Sequence, residues 1–184
     1  MSSTVVPAPP KRRRGMGNLQ SMVLSMLVLV GATLFFVMMV ARPSEVPRRS
    51  LDAGSVATQV QSQAGWSPSQ RTPLPAGWTV NVARYETQAK VPTWQVGYLA
   101  ANTYYAVRQA KAGTAEWVDN AVDGAQAAGT QTVGGVVYDV FADDKGNRSL
   151  VHRGTGTTPW TVVSSNAPAD QLAAFVASLT PPVR

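Results

Sequence analysis

One histidine, His152, stands in a chain of 184 residues that has no cysteine. Any imidazole proton transfer near neutral pH, and any imidazole-ligated metal, must therefore run through that single side chain. Strand-like segments around it carry Asp139 and Ser164, so an Asp-His-Ser relay for acyl transfer can be drawn from the residue types. No nucleophile-elbow pattern surrounds Ser164, and a partly exposed strand histidine is the simpler reading of His152. One histidine cannot build a zinc site alone. The missing thiols exclude cysteine nucleophiles, Cys-ligated zinc and iron-sulfur clusters. A hydrolase working through His152 is thus the enzymatic alternative, and no catalytic constellation, cofactor or metal site is expected.

Two further stretches have the composition of ligand loops. Asp143-Asp144-Lys145-Gly146-Asn147 is rich in oxygen ligands, but Lys145 falls at a ligand position and no closing Glu follows, so a hairpin turn explains it better than calcium. Gly154-Thr155-Gly156-Thr157-Thr158 could cradle an anion in backbone amides, yet it lacks the lysine and the helix start of a phosphate loop. Five tryptophans suggest a stacking platform for a sugar. Trp78, Trp94 and Trp117 fall at core positions of predicted elements, whereas Trp66 and Trp160 lie nearer loops and form the candidate interaction surface.

These residues are positioned by a chain of two characters. Leu19 to Ala41 holds no charged residue, and a helix of that length, at about 1.5 Å per residue, spans a hydrocarbon layer of about 30 Å. Lys11, Arg12, Arg13 and Arg14 precede it. The run exceeds a signal-peptide core and closes on Met38-Met39-Val40-Ala41, with Met at the position three before any cut after Ala41, so an uncleaved single span is expected. Basic residues resist translocation. Four lie before the span and Arg42, Arg48 and Arg49 just after it, which predicts a cytoplasmic N-terminus, a plasma-membrane location and an extracytoplasmic C-terminal domain.

The formal charge of +6 does not imply nucleic acid. Beyond the tail, twelve basic residues face all ten acidic ones, with no basic run past Arg48-Arg49, and nucleic-acid binding needs a concentrated patch. The tail reads instead as a topology signal that meets anionic headgroups. All six methionines fall at or before Met39, which separates a membrane side from the rest.

The organisation expected is a basic tail over 1–18, a transmembrane helix over 19–41, a tether with a short helix over 42–73, and an extracytoplasmic domain over 74–184. Pro43 and Pro47 stiffen the tether, and Ser50 starts a short helix to about Gln63. From Trp78 the period becomes two: Trp78, Val80 and Val82; Trp94, Val96 and Tyr98; then Tyr104 to Val107 after a turn at Ala101-Asn102. Gly113-Thr114 opens a helix to Val122. Strands follow over Thr130 to Val133, Val136 to Phe141, Arg148 to Arg153 and Trp160 to Ser164, the first pair joined by Gly134-Gly135. Leu172, Phe175, Val176 and Leu179 mark a final helix with Asn166 as its cap and a stop at Pro181-Pro182. The fold class is α+β, an antiparallel sheet with helices packed on one face.

The order and wording of these pieces are similar to a family of membrane-anchored proteins of unknown function from high-GC Gram-positive bacteria. The likeness rests on the basic tail and span, on Leu74-Pro75-Ala76-Gly77-Trp78 with Tyr85, and on Thr93-Trp94-Gln95-Val96-Gly97-Tyr98. The Trp117 helix, Gly135-Val136-Val137-Tyr138 and the last amphipathic helix complete it. The resemblance implies topology and compartment and carries over no functional residue. The expected function is a single-pass envelope protein whose outer domain binds another envelope protein or a cell-wall polymer. The structural alternative is an accessory subunit acting through its span.

Overall fold

The structure, a computed structural model, describes residues 17–39 and 50–183. The tail with Lys11, Arg12, Arg13 and Arg14, and the segment 40–49, lie outside the described residues. The chain divides into two compact units, Met1–Val46 and Pro47–Arg184.

The first unit contributes one helix, α1 (Gly17–Met39). Its stretch Leu19–Phe36 has a mean hydropathy of 2.0 with none of it buried, long and apolar enough to cross a membrane. Thr33 does not oppose this, because its hydroxyl donates to Leu29 O at 2.8 Å and so needs no water.

The second unit is built on a seven-stranded, wholly antiparallel sheet in the order β1-β2-β3-β7-β6-β5-β4. The strands are β1 (Trp78–Gln88), β2 (Val91–Ala100), β3 (Thr103–Ala110), β4 (Gln126–Val133), β5 (Val136–Ala142), β6 (Arg148–His152) and β7 (Trp160–Ser165). Two meanders, β1-β2-β3 and β4-β5-β6-β7, meet where β3 pairs β7. The helices are α2 (Ala53–Ala64), α3 (Ala115–Val122) and α4 (Ala169–Ala177).

Strand alternation divides the buried residues into two cores, and the helices take both faces rather than one. Trp94, Val96, Tyr98, Val107, Leu150 and Val163 share one cluster with Val60 of α2 and Leu172, Phe175 and Val176 of α4. Val91, Ala110, Val151 and Val162 share the other with Trp117, Val118 and Ala121 of α3. The physical reason is parity: neighbours such as Val162 and Val163 point to opposite sides, and both are fully buried, so each face needs a cover. Trp117 fastens α3 by donating from Nε1 to Thr93 Oγ1 at 2.8 Å. On the other face Phe175 stacks on Tyr105 with centroids 4.4 Å apart, and Tyr105 stacks on Trp78 at 5.1 Å.

The stretch expected as tether is partly structural. Asp52, not Ser50, caps α2, accepting from the amides of Gly54 at 3.0 Å and Ser55 at 3.2 Å. Ala53, Ala57 and Val60 then bury into the first core, and Gln70 pairs with Thr180. Small apolar residues at i, i+4 and i+7 seat this helix although its composition is polar. Asn166 is likewise not a cap: its amide accepts from Tyr104 N at 3.0 Å and donates to Asn102 O at 3.2 Å, clamping the β2–β3 turn. Gly134 and Gly135, both at positive φ, close β4 and β5 as expected.

Candidate functional site

The strand register disposes of the acyl-transfer relay. Asp139 lies opposite Val151, and Ser164 opposite Ser149. Partners across an antiparallel pair share a face, so both belong with α3, while His152, one residue beyond Val151, belongs to the other face. Asp139 instead forms an ion pair with Arg153, and Ser164 shares a 2.8 Å hydroxyl contact with Ser149. His152 has its Nδ1 3.4 Å from Val137 O and its ring tilted against Tyr138 at 5.7 Å.

The two loops close on themselves. Asp143 accepts from Lys145 N at 2.9 Å, Asn147 N at 2.7 Å and Asn147 Nδ2 at 2.6 Å, and the Asn147 amide in particular holds its carboxyl below the usual range. That is a side-chain turn, not an ion cradle. No group of three or more His, Cys, Asp or Glu suited to a metal occurs among the described residues. In the glycine-rich loop Thr158 N donates to Thr155 O at 3.1 Å, and the Gly154 α-carbon packs against the carbonyls of Thr158 and Pro159.

Trp66 and Trp160 are both half-buried. Trp66 packs against the α2/α4 core, and its Nε1 is enclosed with no acceptor. Trp160 packs against the α3 core, with the Gly113 backbone so close over the indole that a Cβ there would lie 2.5 Å from the ring. Between their neighbours Ser67 and Pro159 opens a groove of about 350 Å³ walled by Thr157, Thr158, Pro181 and Pro182. Its floor is already satisfied. Gln109, fully buried, accepts from Ser69 N at 2.6 Å and donates to Ser69 Oγ at 3.1 Å and Thr161 Oγ1 at 2.9 Å.

A smaller cleft of about 110 Å³, on the α3 face, differs in this respect. Its floor is the cross-strand row Ala106, Ser164 and Ser149, all small, and its walls include Tyr104, Arg108, Asp123, Asp143 and Asn147. Strand parity puts Arg108 there, since Val107 and Gln109 on either side turn to the opposite core. The guanidinium lies at the end of α3 and donates from Nη1 to Ala121 O at 2.7 Å, a favourable place for a cation. Burial pushes its pKa down, and the nearby Asp123 carboxylate opposes that shift. Among the described residues Arg108 has no carboxylate within 4.0 Å, and the ion pairs are Arg84–Glu86 and Arg153–Asp139.

Five N–H donors on a half-buried guanidinium with one protein acceptor among the described residues leave hydrogen-bonding capacity at the cleft wall. Tyr104 adds a phenol kept neutral, its pKa raised by burial, that donates to Asn147 Oδ1 at 3.3 Å. Ser149 and Ser164 share a single contact between two hydroxyls, so one O–H remains. Against that one guanidinium the cleft sets two carboxylates, Asp123 and Asp143, so it disfavours an anion and suits a neutral hydrogen-bond acceptor, and it offers no nucleophile with an adjacent base. Sequence reasoning passed over Arg108 because one arginine in an alternating strand reads as solvated. The available signal was that β3 is apolar on both sides of the alternation, Tyr105 and Val107 against Ala106 and Ala110.

Comparison with curated proteins finds no match, and comparison with solved structures finds none. The family model described as "Protein of unknown function (DUF4245)" matches residues 14–179, nearly the whole chain, and the chain belongs to that family.

Proposed function

We propose that this is a single-pass protein of the bacterial cell envelope. Its N-terminal tail is cytoplasmic, α1 crosses the plasma membrane, and the α+β unit outside is a binding module. It takes a neutral hydrogen-bond acceptor, an amide or sugar oxygen, of an envelope protein or cell-wall polymer at the Arg108 cleft. The observation that carries the binding role is the half-buried Arg108 guanidinium, which has one protein acceptor and faces a cleft with a small-residue floor. Desolvating a guanidinium is costly unless charge and hydrogen bonds compensate; Asp123 offsets part of the charge, and what is left over is hydrogen-bonding capacity that a neutral acceptor fills.

Volume sets the size of what enters. The cleft's roughly 110 Å³ compares with roughly 30 Å³ per liquid water and about 300–1,000 Å³ for a drug-sized site. It holds a functional group and not a whole ligand, so the bound group belongs to a larger partner lying across the surface. The anchoring half rests on Leu19–Phe36, apolar all round and unburied, which calls for a lipid or protein surrounding.

The test uses the full chain in lipid nanodiscs, titrated separately with N-acetylglucosamine and with N-methylacetamide while the Arg108 side-chain N–H resonance is followed. A saturable shift that Arg108→Gln abolishes, with its urea transition moved by less than about 1.5 kcal/mol, is expected. No shift from either probe up to about 10 mM, the affinity of a site worth roughly 3 kcal/mol, refutes the acceptor-binding site.

A further inference from the structure

The two edges of the sheet are treated differently. Along β1, Leu51 N donates to Val80 O at 2.9 Å and Val80 N donates to Ser50 Oγ at 3.1 Å, so the Ser50-Leu51 segment closes one end. Arg84 and Glu86, paired at 3.0 Å, put charge along the remainder. Covering and charging are the two common ways a fold prevents strand addition. β4 has neither. Gln126–Val133 contains no charged residue and no proline, residues 126–130 and 132 are exposed, and among the described residues only β5 pairs with it.

Hairpin geometry fixes which β4 groups lack partners. Val133 and Val136 flank the two-residue turn and exchange both hydrogen bonds, so pairing alternates from there. The amide and carbonyl groups of Gln131 turn toward Tyr138 on β5, and those of Thr130 and Thr132 turn outward. A bulge between Ala127 and Gly129 limits the regular edge to residues 129–133, a stretch centred on Gln131.

We propose that β4 pairs antiparallel with β4 of a second copy about a two-fold axis at Gln131, joining two sheets into one. In that register Thr130 faces Thr132 of the partner subunit, and Gln131 faces its own equivalent. A two-fold opposes residues near the axis to their own kind, so any charge on this stretch would meet itself. Gly129, Thr130, Gln131, Thr132 and Val133 are all neutral, threonine pairs across strands are favourable, and a glutamine amide is both donor and acceptor. The charged β1 edge is unsuited to the same pairing.

A five-residue ladder buries less than the roughly 1,200 Å² typical of stable soluble complexes. The proposal therefore rests on the anchored reading, in which confinement of both copies to one bilayer raises their effective concentration above that in free solution.

The chain's lack of cysteine makes the test direct. Gln131→Cys and, on the other edge, Glu86→Cys are reconstituted as full chains in phosphatidylcholine vesicles and mildly oxidised. Flotation reports anchoring and cross-linking reports the edge, so failure of one is distinguishable from failure of the other. A non-hydrogen-bonded pair has a Cα spacing of about 4.5 Å, within the disulfide range of about 4.4–6.8 Å. The expected result is a disulfide-linked dimer from Gln131→Cys forming at least about tenfold faster than from Glu86→Cys. A mixture of Thr130→Cys and Thr132→Cys chains is expected to link faster than either alone, which also covers misfolding of the first variant. Equal rates at the two edges in floated vesicles, with no gain in the mixture, overturn the proposal, including the case where β4 takes a strand from another protein.

Discussion

In α1, twelve large apolar side chains between Leu19 and Phe36 stand 51–71 % exposed, whereas across residues 50–183 the exposed large apolar side chains are Leu51, at 45 %, and Val137, at 60 %. The comparison is between two solutions to one problem. The second unit satisfies its apolar residues internally, folding them onto two faces of a sheet until Trp94, Trp117, Val107 and Val162 reach zero exposure. The first is a single helix with no second layer of its own, and Leu19–Phe36 stays uncovered. The charge pattern follows the same division, with the acidic residues all placed beyond Leu19–Phe36.

The largest expected effect is at α1. Leu27→Arg together with Val30→Arg costs insertion about 3 kcal/mol per charge, so the full chain is expected to leave the floating vesicle fraction. If the double variant floats like the parent, α1 is not a span. The next effect is on the other side of the comparison. Trp117→Ala removes the largest side chain of the α3 core and its bond to Thr93, and is expected to lower unfolding free energy by about 3–5 kcal/mol in urea. Leu24→Ala is expected to leave that transition in place, since Leu24 is 67 % exposed.

The smallest effect appears only in base. Burial pushes Tyr98 and Tyr138 up to about 12, so the fold favours the neutral phenols. A raised folded pKa means their contribution is complete below the unfolded value near 10 and is lost as pH rises from about 10 to about 12. Circular dichroism against pH is expected to show unfolding begin in that window, with Tyr138→Phe moving its onset upward. An unchanged onset in that variant removes Tyr138 from the account.

Much of this contrast was legible in the sequence because it depends on periodicity. Trp94, Val96 and Tyr98 alternate as drawn, and Leu172, Phe175 and Val176 mark α4 within a few residues. What escaped had weak local signals. β1 runs on to Gln88 because Ala89 and Lys90 adopt the positive φ that glycine usually supplies, so no turn residue announces the hairpin. β4 begins at Gln126 rather than Thr130 because an edge strand has little to bury and so lacks alternation. α2 is held by Ala53, Ala57 and Val60, too small to stand out in a polar segment. The Arg108 cleft is made by parity on β3 meeting the end of α3, a coincidence of distant segments that no local pattern encodes.

The central claim is that α1 is a single span with the α+β unit outside. It is tested most directly by placing single cysteines at Ser3 and at Thr155 in this cysteine-free chain and treating intact cells with a membrane-impermeant maleimide. The account predicts that Thr155→Cys labels in intact cells and Ser3→Cys only after permeabilisation. Labelling of Ser3→Cys alone in intact cells, or of both, contradicts it.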